Sequence, residues 1–156
     1  MRCVWCDSEY TFYGGEKIPF DDILTKLERF GSNLVEVTGG EPLAQKNVFP
    51  FISTLCNRNY EVLIETGNFV STEEVDTRAS IILDVKCPAS GESERNHWDN
   101  LARLRQAKDE VKFVVAHVEG ANKPTLNGAA IGADPVTLKN GDLLELAGTQ
   151  MQFVQA

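Results

Sequence analysis

From Leu34 to about Val115, short apolar runs alternate with helix-like segments, and nothing else in the 156 residues constrains the fold as strongly. Leu34-Val-Glu-Val-Thr38, Val62-Leu-Ile-Glu65, Ile81-Ile-Leu-Asp-Val-Lys86 and Val111-Lys-Phe-Val-Val115 read as strands. Helical spacing is expected near Asp21 to Phe30, Asn47 to Arg58, Thr72 to Asp76 and Arg95 to Ala107, with Ile23, Leu24, Leu27 and Phe30 on one face of the first. Regular alternation of this kind implies right-handed βαβ crossovers and a mostly parallel sheet. Such sheets gather their chemistry beyond the carboxyl ends of the strands.

Polar residues stand at those ends. Thr38-Gly39-Gly40-Glu41-Pro42 follows the first strand, Glu65-Thr66-Gly67-Asn68 the second, and Asp84-Val85-Lys86-Cys87-Pro88 the third. Three in succession suggest one face assembled as a site. Gly39 and Gly40 let the backbone approach a ligand closely, Glu41 offers a carboxylate to an ammonium group, and Pro42 stiffens the exit. The stretch is neither a dinucleotide nor a P-loop fingerprint.

After His117 the helical periodicity stops, and Pro135 to Val154 reads as β-hairpins. Asn140-Gly141 is a type I′ turn signal, because both central residues need positive φ, and Ala147-Gly148 marks a second reversal. Residues 1–117 and 118–156 are therefore expected as a main domain and a hairpin tail.

A formal charge of −8 argues against a nucleic-acid surface, which needs clustered Lys and Arg. No apolar run approaches the ~20 residues that cross a bilayer, and the start lacks the apolar stretch of a signal peptide, so a cytoplasmic protein without membrane partners is expected. In a reducing compartment four cysteines do not imply disulfides. Cys3-Val-Trp-Cys6 suits zinc, a redox pair or an iron–sulfur cluster, and by itself chooses none of them. Cys56, in a helical pattern, and Cys87, after a strand, read as buried small apolar residues.

Taken together, Cys3-Val-Trp-Cys6, Gly39-Gly40-Glu41-Pro42, Glu65-Thr66 and Asp84-Val85-Lys86 resemble the radical S-adenosylmethionine (SAM) enzymes. Arg2 to Ser8, Leu34 to Leu43, Tyr60 to Gly67 and Ile82 to Pro88 are similar more closely to the 7-carboxy-7-deazaguanine synthase family. The resemblance covers roughly residues 1 to 117. It implies a radical SAM-type partial (β/α) barrel, a 4Fe–4S cluster, SAM and Mg2+. It also implies conversion of 6-carboxy-5,6,7,8-tetrahydropterin to 7-carboxy-7-deazaguanine in 7-deazapurine (queuosine) biosynthesis, an electron donor such as flavodoxin, and commonly a homodimer.

By the same resemblance Cys3 and Cys6 match the second and third cluster ligands, and Ser8 stands where the family usually has a threonine that contacts magnesium. Trp5 and Asp7 flank SAM, as do Gly40, Glu41 and the stretch Asp84, Val85 and Lys86, while Thr38 matches a substrate-contacting position. Glu65 and Thr66 are assigned no role beyond the strand end.

Two departures qualify the expectation. The first cluster cysteine of the family would stand four residues before Cys3, and the sequence begins two residues before it, so the chain as written is expected to be inactive. In the tail, Leu126-Asn127-Gly128, Val136 to Asp142, Leu144-Glu-Leu146 and Met151-Gln-Phe153 resemble the final strands of a forkhead-associated domain. The rival reading is accordingly a catalytically dead fragment or fusion that acts as an interaction module of the phosphopeptide-binding kind.

Overall fold

The computed structural model describes residues 2–4, 6, 8–114, 123–131, 136–146 and 149–153. Strands β1 (Leu34–Val37), β2 (Glu61–Thr66), β3 (Ser80–Asp84) and β4 (Glu110–Lys112) lie side by side in chain order, all parallel. Chain order and parallel pairing bring every carboxyl end to the same edge of the sheet. The polar strand-end segments of the sequence therefore become neighbours in space.

Helix α1 (Phe20–Phe30) forms where Phe20, Ile23, Leu24 and Leu27 recur at helical spacing. Asp21 and Asp22 in its first turn complement the positive end of the helix dipole. Gly31, at φ +65°, stops it in the left-handed conformation that costs glycine little. Leu24 is buried, and Phe20 and Leu27 pack against the core. Phe30, expected on the same face, is instead exposed at the last helical position, and it is Phe20 that meets Phe51, with ring centroids 4.8 Å apart.

Helix α2 (Val48–Asn57) buries Val48, Ile52, Leu55 and Cys56, the i, i+4, i+7, i+8 stripe of an amphipathic helix. These side chains share one cluster with Val62 and Ile64 of β2 and with Ile81 and Leu83 of β3. Cys56 is thus a core residue, as expected.

Two expected helices change form. Residues 72–76 make a turn, because the Thr72 N–H and hydroxyl both go to the Asn100 side chain. The stretch from Arg95 to Ala107 breaks into a 3-10 turn at Ser93–Arg95 and the short helix α3 (Asp99–Arg103). Asn96 and Asn100 are drawn into the interior, and Arg105 is held by Asp109 and by the carbonyls of Thr77 and Ala79. Side chains committed to distant partners override the local periodicity.

Beyond the parallel sheet, β5 (Thr125–Leu126), β6 (Ala129–Ala130), β7 (Leu143–Leu146) and β8 (Thr149–Gln152) form an antiparallel sheet in the order β6-β5-β7-β8. The primed hairpin turn is at Asn127-Gly128, with φ +52° and +81°, and not at Asn140-Gly141. There only Gly141 has positive φ, and Asp142 N–H closes the turn on Lys139 O at 3.0 Å. The reason is topological: residues 136–139 are not a strand, so no tight hairpin demands a type I′ turn at that point.

Leu146 and Thr149 pair across the second expected reversal, whose residues Ala147 and Gly148 lie outside the described ones, as does the expected boundary at His117. Leu144, Met151 and Ile131 of the tail pack with Cys87 and Phe113 of the main unit. Among the described residues no helix is long and apolar enough to cross a membrane.

Candidate functional site

The shared edge of the strands opens into a cavity of about 310 Å3. Thr38, Gly39 and Gly40 come to it from the end of β1, Glu65, Thr66, Gly67 and Phe69 from β2, Asp84 and Lys86 from β3, and Lys112 and Val114 from β4. Cys3, Cys6, Ser8 and Phe12 of the amino-terminal loop line the remaining side. That loop is held in place on the far strand end: Val4 N–H donates to Ser90 O at 3.1 Å and Arg2 N–H to Glu92 Oε1 at 2.6 Å. The Arg2 guanidinium also lies 5.1 Å from the centre of the Phe12 ring.

Gly40 is tight against this loop. A Cβ on Gly40 would sit 3.2 Å from Thr11 Oγ1, whose hydroxyl is already committed to Ser8 O. Gly39 has φ +128°, a backbone conformation that side chains rarely adopt.

Two ion pairs face the cavity. The Lys86 ammonium meets Asp84 Oδ2 at 2.8 Å, with both side chains mostly buried. Asp84 Oδ1 is buried and has no hydrogen-bond partner among the described residues, which leaves an acceptor for a ligand donor at the cavity wall. Across from it Lys112 is paired with Glu65, and Thr38 Oγ1 donates to Glu65 Oε2 at 3.3 Å. Lys112 holds the Glu65 carboxyl below the usual carboxylate range, and Glu65 in turn pushes the Lys112 ammonium up.

Glu41 is arranged differently from the expectation of an outward carboxylate. Its oxygens accept from Thr66 Oγ1, Leu43 N–H and Gly67 N–H at 2.9 to 3.0 Å, and it is not among the cavity-lining residues. Burial raises its pKa, and the three donors offset this only in part. The carboxylate ties the loop after β1 to the loop after β2.

Val85 likewise turns its side chain into the core, where it is 3% exposed, while its N–H donates to Lys112 O. Trp5 and Asp7 lie outside the described residues. Of the residues singled out from the sequence, Cys3, Cys6, Ser8, Thr38, Gly40, Asp84 and Lys86 are therefore brought to one cavity.

Sequence reasoning gave Lys112 no role, although a lysine inside the apolar run Val111-Lys-Phe-Val is an anomaly that could have drawn attention. All four cysteines are free. Cys56 and Cys87 are buried away from the cavity, and burial raises both thiols. Among the described residues no group of three or more His, Cys, Asp or Glu side chains is placed to hold a metal ion.

No family model matches the chain. Individual proteins do match. A 7-carboxy-7-deazaguanine synthase of Koribacter versatilis is 45% identical over 118 residues, 74% of this chain and 52% of that protein. Over that stretch the chain is similar to the 7-carboxy-7-deazaguanine synthases. The synthase of Chlorobaculum tepidum is 41% identical over 116 residues, 73% of this chain and 53% of its own length. That of Thermoplasma acidophilum is 36% identical over 117 residues, 74% and 56% of the two chains. The chain spans about half the length of the curated relatives it matches. None of these relatives supports the forkhead-associated resemblance of the tail.

Proposed function

We propose that the chain carries the SAM-binding part of a 7-carboxy-7-deazaguanine synthase, with the cavity at the strand ends as its site. The observation that supports this most is convergence: Cys3, Cys6, Gly40, Asp84 and Lys86, remote in sequence, border one cavity. A volume of about 310 Å3 lies at the lower end of the range for small-molecule sites.

In this reading Cys3 and Cys6 hold the iron–sulfur group. They supply two thiols to the cavity, whereas a site-differentiated 4Fe–4S cluster takes three, so the described residues fit that group in part. With a cluster and SAM bound, such a site supplies radical hydrogen abstraction. The chain's own residues bind and orient. The Gly39-Gly40 backbone leaves room for a close ligand, the free Asp84 Oδ1 accepts from a ligand hydroxyl or amine, and Thr38 and the Glu65–Lys112 pair face the pterin substrate. Ser8 offers a hydroxyl oxygen suited to Mg2+, a hard cation.

A partial radical SAM barrel over 1–117 with a tail over 118–156, a cytoplasmic location, an electron donor such as flavodoxin and a homodimer belong to the same proposal. The test is anaerobic reconstitution with iron and sulfide followed by calorimetric titration with SAM. Binding that Gly40→Val abolishes is expected, because a larger side chain at Gly40 meets Thr11 and Phe12. A reconstituted chain that loads iron and sulfide but binds no SAM would overturn the reading.

A further inference from the structure

The strand-end loops that form the cavity are laced together from behind by three buried asparagines. Asn68, Asn96 and Asn100 are 0%, 7% and 0% exposed. Asn100 Nδ2 donates to Asn68 Oδ1 at 3.0 Å and to Val70 O at 2.9 Å, while its Oδ1 accepts from Thr72. Asn68 takes the left-handed conformation, φ +64°, that asparagine tolerates better than most residues, and its Nδ2 donates to Asn96 Oδ1 at 3.3 Å. Asn96 ends the ladder on the backbone of Lys86: Oδ1 accepts from Lys86 N–H and Nδ2 donates to Lys86 O, both at 2.9 Å.

Exchanging one acceptor and one donor with a single residue is what a hydrogen-bonded strand neighbour does. Lys86 lies beyond the last paired residues of β3 and β4, Asp84 and Lys112, and among the described residues no strand supplies those bonds. A primary amide carries a donor and an acceptor side by side, and a carboxylate of nearly the same shape carries acceptors only. The identity of residue 96 therefore matters for where the Lys86 backbone stands, and through it for where the Lys86 ammonium meets Asp84 at the cavity.

We propose that Asn96, braced by Asn68 and Asn100, is a positioning residue that holds Lys86 in place for the ligand of this cavity. The ligand arm of the proposal rests on the reading of the cavity as a SAM site; the positioning arm does not.

The experiment compares wild type, Asn96→Asp and Asn100→Asp, all as the full chain. Reductive methylation of lysines, followed by mass spectrometry, reads the accessibility of the Lys86 amine against exposed Lys46. In wild type Lys86 is expected to react slowly. Asn96→Asp should speed it by about tenfold, the loss expected when one buried donor goes missing, and Asn100→Asp should leave it much less changed. A merely structural role would raise labelling in both variants alike.

SAM affinity of the reconstituted protein should fall by about tenfold in Asn96→Asp, with no further fall when Asn96→Asp is added to Lys86→Met. An unchanged Lys86 rate in Asn96→Asp, or an equal affinity loss in the Lys86→Met background, would sink the proposal. If wild type binds no SAM, the reading of the cavity fails, and the labelling result alone decides whether Asn96 positions Lys86. Should Asn96→Asp not fold, Asn96→Ser, whose short hydroxyl cannot span both Lys86 groups, carries the same comparison.

Discussion

The Thr66 hydroxyl lies 2.9 Å from each oxygen of the Glu41 carboxylate, so the glycine loop after β1 is fastened to the end of β2 by a partly buried acid. Glu41→Ala would leave the N–H groups of Leu43 and Gly67 and the Thr66 hydroxyl without their acceptor. A loss of about 2–4 kcal/mol is expected from urea unfolding, since each stranded buried donor costs ~1–3 kcal/mol and the losses overlap. Glu41→Gln should cost less, because it retains one oxygen. A Glu41→Ala chain as stable as wild type would show that the loop is held by other contacts.

The pH dependence of the Glu41 contribution has a definite sign. Its folded pKa is raised, so its contribution is fully present below the ordinary glutamate value of 4.5 and declines as pH rises through the higher folded value. Wild type should therefore gain stability relative to Glu41→Gln on acidification through that window. Chemical denaturation at a series of pH values measures the difference, and a gap that widens in the opposite direction would contradict it.

Asp109 behaves in the opposite way. Burial pushes its carboxyl up, yet the bonds from Arg105 and from the N–H groups of Arg105 and Ile81 outweigh this and hold it below 3.8. Its stabilisation is present above that value and is lost as pH falls through the depressed folded value. Asp109→Asn should be less stable near neutrality but less sensitive to acid. Arg105→Ala should cost about 3 kcal/mol, at the lower end for a broken buried pair because the Arg105 side chain is 35% exposed.

Lys112 and Glu65 separate stability from binding. The Lys112 side chain is 44% exposed, so Lys112→Met should change unfolding free energy by less than about 1 kcal/mol. Because both residues line the cavity, the same substitution should weaken ligand binding by more than about tenfold. Equal and small effects in calorimetry and in denaturation would place the pair outside the binding surface.

The cysteines divide by position. Cys3→Ser and Cys6→Ser should each abolish retention of iron and sulfide after anaerobic reconstitution, whereas Cys56→Ala should retain them, since Cys56 packs in the core. Iron and sulfide analysis of the desalted proteins provides the measurement. Loss of loading in Cys56→Ala, with a native unfolding transition, would redirect the ligand assignment.

Local pattern was enough to determine much of this protein. Period and spacing marked α1, α2 and the four parallel strands to within a few residues; α1, α2, β2 and β3 bury apolar side chains that any neighbour could cover, whereas β1 and β4 are set by their pairing at the two sides of the sheet. The order of alternation then sent Thr38, Gly40, Asp84 and Lys86 to one edge, since parallel strands joined by crossovers share their carboxyl ends. What only the tertiary structure decided was the direction of individual polar groups. Glu41 faces Thr66 rather than the cavity, and Asn96 and Asn100 end a helical pattern to reach Lys86 and Thr72. The primed turn falls at Asn127-Gly128, where two strands meet, and not at Asn140-Gly141. For Glu41, Asn96 and Asn100 a partly or fully buried donor or acceptor must find a partner remote in sequence, and the cost of leaving it unpaired exceeds the local preference that a sequence pattern records; the turn follows instead from where the strands pair.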